Sequence, residues 1–154
     1  MKVEKLDHVH IYVKDIERAV QLFEHWLGIK FGPIYTWDEW GLKDCYAPPG
    51  LLLMQPTSPD DAMDAAKFIE RRGEGLSGIS VKVQDIEAGI AELEAKGLRL
   101  RGKVQVGNVV EAMFHSEESF GLEIELAHYP GDDIGAAASS EMLSRAVDAT
   151  QSAR

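Results

Sequence analysis

A single cysteine, Cys45, in 154 residues excludes an internal disulfide and a cysteine-built zinc centre. The expected role of so isolated a thiol is that of a small buried hydrophobe. No apolar run approaches the roughly 20 residues that a membrane-spanning helix needs, and the opening stretch MKVEKLDHVH lacks the apolar segment of a secretory leader. No membrane partner is expected, and the expected location is cytoplasmic. Basic side chains are in deficit as well: 16 Lys and Arg against 26 Asp and Glu leave a net charge of −10. Such a surface keeps a protein soluble and repels a phosphate backbone, so nucleic acid is not an expected partner. A nucleotide-binding loop is also missing, because RRGEGLSG has no Lys-Ser/Thr behind its glycines.

The chain has the means to build a core, being 45% hydrophobic and 27% charged. It also has an internal repeat. HVHIYVKDIERAV, from His8, returns as GISVKVQDIEAGI, from Gly78. Val9 becomes Ile79, Asp15-Ile16-Glu17 becomes Asp85-Ile86-Glu87, and Val20 becomes Ile90. The histidines do not return: His8 and His10 correspond to Gly78 and Ser80.

The alternating, β-branched stretch VEKLDHVHIYV reads as a strand with Leu6, His8, His10 and Tyr12 on one face. Ile16, Val20, Phe23 and Leu27 then recur at helical spacing, with Asp15 placed to cap the helix and Gly28 to end it. FGPIYTW, LKDCYA and LLLMQP read as short strands between Pro and Gly breaks. SPDDAMDAAKFIERRG reads as a linking helix capped at Ser58 or Asp60, with Arg71 and Arg72 in its last turn. GLSGISVKV, DIEAGIAELEAKG, LRLRG, VVEAMFH and GLEIELAHY repeat the order, so each half reads βαβββ. One α+β domain over residues 1–129 is expected, with modules at about 3–57 and 76–129 and a helical link at 58–75. The tail, 130–154, reads as flexible or partly helical, with a linker over 130–138 and a short helix over Ser139–Ala149.

With LDHVHIYVKDIE at its head, GEGLSGISVKVQDIEAGIAELEAKG in its middle and FHSEESFGLEIELAH at its end, the chain resembles the vicinal oxygen chelate superfamily over residues 3–129. That group includes glyoxalase, extradiol dioxygenases, methylmalonyl-CoA epimerase and antibiotic-binding resistance proteins. QPTSPDDAMDAAKFIERRGEGL and MFHSEESFGLEIEL look most like the epimerase branch. The resemblance implies two tandem βαβββ modules whose curled mixed sheet surrounds a cavity, a homodimer, and a divalent metal held by four side chains. It puts His8 and Glu125 at two ligand positions and Leu52 and Gly78, which carry no donor, at the others.

Three readings of that departure stay open. In the first, the metal is relocated, with His10 beside His8, Glu123 beside Glu125 and His115 approaching from a neighbouring strand. In the second, an isomerase-, epimerase- or lyase-like enzyme works without metal on a small carbonyl compound or acyl-CoA. Resemblance of DEWGL to an epimerase loop makes Glu39 its base, with His8 or His10 donating to the oxyanion and Glu125 as partner. Arg71 and Arg72 would meet a phosphate of such a thioester. In the third, the protein only binds, as antibiotic-sequestering relatives do, stacking a flat ligand on Trp37 and Trp40 near Tyr35. Packing of Trp37 or Trp40 at a dimer interface is the plainer alternative. Trp37, Trp40, Tyr46, Met54, Met113 and His115 are the candidate substrate contacts. His25 and His128 read as surface residues.

Overall fold

The computed structural model describes residues 1–138, so the helix expected over Ser139–Ala149 lies outside the described residues. The chain runs β1 (Val3–Tyr12), α1 (Ile16–Leu27), β2 (Tyr35–Trp37), β3 (Leu42–Ala47) and β4 (Leu51–Pro56). After α2 (Ala65–Arg72) it repeats that order as β5 (Gly75–Val83), α3 (Ile86–Ala95), β6 (Leu100–Val106), β7 (Val109–Phe114) and β8 (Glu123–His128). A turn of 3-10 helix at Glu117–Ser119 precedes β8. The duplicated α+β order is the one the sequence predicts.

Matched caps start the two equivalent helices. Asp15, in extended geometry at φ −141° and ψ 96°, accepts a hydrogen bond from the Arg18 amide at 2.9 Å. Asp85, at φ −141° and ψ 112°, accepts from the Ala88 amide at 3.0 Å. Each carboxylate satisfies a donor that the first helical turn leaves without a partner, and its charge suits the positive end of the helix.

The link departs from the sequence expectation. Its helix starts at Ala65, and the capping carboxylate is Asp61, which accepts from the amides of Met63, Ala65 and Ala66 at 3.0, 2.8 and 2.9 Å. Ser58 instead accepts from the Asp60 amide in a local turn, an alternative to helix that short polar side chains offer the backbone. Residues 134–138 are helical, where the composition suggests a linker. No helix among the described residues is long and apolar enough to cross a membrane.

The described residues divide into two compact units, one of Val9–Ser77, the other of Met1–His8 with residues 78–138. In the contiguous unit the hydrogen-bonded order is β2-β3-β4-β1, with β1 and β4 parallel and the other pairs antiparallel. One face of this sheet packs Val13, Cys45 and Leu53 under Ile16, Val20 and Phe23 of α1. Cys45 is thus a buried hydrophobe, and burial pushes its thiol up to about 12. Against the opposite face, α2 lays Ala65 and Ile69 on Tyr12, Leu42 and Met54. In the second unit the order is β5-β8-β7-β6, with β5 and β8 parallel, and α3 packs Ile86 and Ile90 on Val83, Ala112, Phe114 and Leu126. Each Val, Leu, Ile, Met or Phe among these contributes about 1.5–3 kcal/mol by leaving water.

Candidate functional site

In the unit that contains β8, paired residues Ser80 and Glu125 lie side by side on β5 and β8, and Met113 of β7 lies opposite Glu125. Leu126, next along β8, turns to the α3 side, so period-two alternation aims Glu125 away from the helix. His8 meets Glu125 there. Its Nε2 is 3.5 Å from Glu125 Oε1, with the two residues 2% and 3% exposed.

The other imidazole nitrogen is engaged. His8 Nδ1 is 3.0 Å from Asp7 Oδ2, and the Tyr129 hydroxyl donates to Asp7 Oδ1. Burial by itself would raise the Asp7 carboxyl. Hydrogen bonds from His8 and Tyr129, with the neighbouring charges, overcome that and hold it at about 2. Asp7 is therefore an anion at neutral pH, and Nδ1 carries the proton it donates to Asp7. Nε2 then faces a carboxylate oxygen. A neutral imidazole there would set one lone pair against another, and a positive species between or upon them, a proton or a metal cation, resolves the conflict. This donor chemistry fits a divalent cation: imidazole and carboxylate ligands, with a second carboxylate orienting the histidine from behind.

Glu123 is tied elsewhere, since Arg101 Nη1 donates to its Oε2 at 2.8 Å. Gly78, opposite Glu123, brings no side chain. Sequence reasoning missed Ser80. Its hydroxyl is fully buried and has no hydrogen-bond partner among the described residues. The readable signal was its offset, two residues past Gly78 as His10 is two past His8. His115 follows β7 and is half-buried, with Nδ1 3.8 Å from Glu117.

In the other unit, strand register gathers the remaining candidates on one face. Tyr35 and Trp37 of β2, Leu42, Asp44 and Tyr46 of β3, Leu52 and Met54 of β4, and His10 and Tyr12 of β1 all project to the α2 side. His10 is fully buried, two residues beyond His8 on the same strand, and lies opposite Leu52. Leu42, Met54 and Tyr12 are covered by α2, whereas Tyr35, Tyr46 and Leu52 stay partly exposed.

The turn between β2 and β3 carries an exposed Glu39. Trp37 and Trp40 on either side of it stack on each other, centroids 4.8 Å apart and planes at 17°, which leaves no slot for a ligand between them. Gly41 closes the turn at φ +64°, where a Cβ would sit 2.8 Å from Ser58 Cβ. The Gly41 carbonyl accepts from the Thr57 amide and the Trp40 carbonyl from the Ala62 amide, each at 2.8 Å. Trp37 is held further by donating its indole N–H to Asp44 Oδ2 at 2.9 Å.

Asp44 is the second residue that the sequence did not disclose. An isolated acid in LKDCYA has no local signal, and the β3 register alone brings it onto this face. On the opposite face a cleft of about 470 Å³ lies along α1, with Leu22, Phe23 and Trp26 in its wall. None of the expected site residues lines it. Of the other histidines, His25 is exposed, and His128 bonds through Nδ1 to the Val83 carbonyl at 3.1 Å.

A duplicated βαβββ chain with a buried histidine–glutamate pair on its sheet defines a class. Residues 7–114 match the model of the Glyoxalase/Bleomycin resistance protein/Dioxygenase superfamily, and the chain belongs to that superfamily. Among solved structures, methylmalonyl-CoA epimerase from Mycobacterium tuberculosis is 26% identical, with 84% of this chain and 90% of that one covered at a TM-score of 0.73. A hypothetical protein from Bacillus halodurans is also 26% identical, covering 84% and 96% at 0.73. A variant of the Streptomyces coelicolor methylmalonyl-CoA epimerase, in complex with 2-nitronate-propionyl-CoA, is 22% identical over 84% and 100% at 0.73, a likeness of fold alone. No match was found among curated proteins.

Proposed function

We propose that this protein moves a proton next to the carbonyl of a small acyl thioester, as an epimerase does, around a divalent cation held by His8 and Glu125. The observation that carries the reading is the buried His8–Glu125 pair with anionic Asp7 behind it. That arrangement leaves a nitrogen and an oxygen donor turned toward one position. A bound cation supplies polarisation of the substrate carbonyl. Removal of the α-proton needs a base within reach, and Glu39 is that base, displayed on a turn fixed by Gly41. Ser80 offers a hydroxyl beside Glu125. Arg71 and Arg72 take a phosphate of the coenzyme, and the working form is a homodimer.

The relation to the epimerase of Mycobacterium tuberculosis supports this reaction class, and methylmalonyl-CoA is therefore the substrate to try. The test is incubation of methylmalonyl-CoA with the protein in D₂O, reading α-deuterium uptake by NMR or mass spectrometry. Uptake above the uncatalysed rate, lost in Glu39→Gln, is expected. Binding without uptake would instead identify a small-molecule-sequestering protein. Native mass spectrometry of the same preparation reads the metal and the dimer.

A further inference from the structure

We propose that Asp44 is a second proton-transfer residue of this chain, returning a proton to the substrate carbon on the side opposite to Glu39. The inference rests on the proton-transfer reading above. Asp44 sits in the middle of β3, between Tyr35 of β2 and Met54 of β4, on the sheet face that also carries Tyr46, Leu52 and His10. Its two oxygens differ. Oδ2 is clamped by the Trp37 indole, whereas Oδ1 is buried and has no hydrogen-bond partner among the described residues. A buried carboxylate oxygen without a donor is disfavoured, and two things relieve it: a proton of its own, or a ligand that brings one.

The flanking residues on the sheet supply no cation to hold Asp44 ionised. Tyr35 faces it from β2, its phenol raised by burial and by the Asp44 charge. Met54 faces it from β4 and carries no charge. Lys43 and Cys45, its neighbours along β3, turn to the α1 side, where Lys43 bonds to Glu17 and Cys45 lies in the core. Burial pushes the Asp44 carboxyl up to about 7 against the opposing bond from Trp37, so acid and base forms coexist near neutrality. That is the condition under which one group both gives and takes protons efficiently.

The step balances without a further reagent. Glu39 takes the α-proton, and the C–H electron pair becomes that of the enolate. The Asp44 O–H bond then breaks as a new C–H bond forms on the other side of the carbon. Water reprotonates the Asp44 carboxylate and receives the proton held by Glu39. Run in reverse, the two acids exchange roles, as interconversion of two configurations requires.

The test separates exchange from inversion. Asp44→Asn keeps a side-chain oxygen to accept the Trp37 N–H while removing the transferable proton. The configuration of methylmalonyl-CoA whose α-proton Glu39 removes, identified as the one whose uptake is lost in Glu39→Gln, is followed in D₂O, reading deuterium uptake by mass spectrometry and configuration by stereospecific analysis. The wild-type protein should do both. Asp44→Asn should retain uptake and lose inversion by about a hundredfold or more, a split that a merely structural lesion would not produce. Inversion at the wild-type rate in Asp44→Asn, or parallel loss of uptake and inversion in a variant with unchanged circular dichroism, overturns the assignment of Asp44 alone. No uptake by the wild-type protein overturns the proton-transfer reading, and this inference with it.

Discussion

His8 lies between two carboxylates, with Nδ1 3.0 Å from Asp7 and Nε2 3.5 Å from Glu125. Asp7 is braced from its far side by Tyr129 and Lys5. It is thus the fixed side of the imidazole, and Glu125 is the side on which the proposed cation would sit. Replacing Asp7 by Asn removes the charge that orients His8, and should weaken divalent-metal binding by about 10- to 100-fold. Titration of the metal-stripped protein with Co²⁺, read by calorimetry, measures this. Equal affinities in parent and variant would refute the orienting role.

Arg101 and Glu123 are 17% and 8% exposed in their side chains, and they meet at 2.8 Å. Arg101→Met should destabilise the protein by about 3 kcal/mol, because it takes the paired cation from a buried carboxylate, whereas Arg101→Lys should cost less. Urea unfolding distinguishes the two. A methionine variant as stable as the parent would mean that Glu123 finds another partner.

The twin caps make a paired prediction. Asp15→Ala and Asp85→Ala should each lose about 1 kcal/mol, since the two carboxylates cap by the same geometry. Denaturation midpoints for both variants check it, and a neutral effect at either position would show that the repeat is only one of sequence there.

The duplicated elements and the Asp15 cap were legible because they are local: a strand period, a helix period and an aspartate one residue ahead of the first apolar position. The His8–Glu125 pair was also legible, but through resemblance, since 117 positions separate the two residues in sequence and no spacing rule joins them. Asp44 and Ser80 were not. Each is an ordinary polar residue in a short strand, and its meaning arises from register against neighbouring strands. The start of α2 was misplaced for a related reason: four candidate capping residues, Ser58, Asp60, Asp61 and Asp64, compete within seven positions, and the fold selects Asp61.

Asp44 also predicts how stability varies with pH. Its folded-state value, about 7, lies above the 3.8 of a free aspartate. The folded protein therefore holds the proton more tightly than the unfolded chain does, and the associated stability is full below about 3.8, falls as pH rises, and is gone above about 7. Asp44→Asn abolishes that dependence. Relative to the parent, the variant should gain melting temperature at pH 8 and gain little or none at pH 4. A difference between the two proteins that does not change with pH would contradict the assignment.

Gly89 allows α3 to approach β8, for a Cβ built there falls 2.8 Å from Leu126 Cδ1. Gly89→Ala should cost about 1–3 kcal/mol despite the better helix propensity of alanine. Thermal unfolding reads the sign directly, and a stabilised variant would show that Leu126 has room to turn aside.

The turn that carries Glu39 is closed by Gly41 and bonded by Trp40 and Gly41 to Thr57 and Ala62, the segment that Asp61 organises. That makes the stretch from Thr57 to Ala62 a buttress whose failures would be misread. A substitution at Asp61, a residue with no place in the proposed proton transfer, would let the carboxylate of Glu39 wander, and a survey of inactive variants would enrol Asp61 among the chemical residues. The remedy is to score such variants for activity with an added small carboxylate. One that is rescued has lost the position of the base proposed here, Glu39; one that is not has lost something the added acid does not replace.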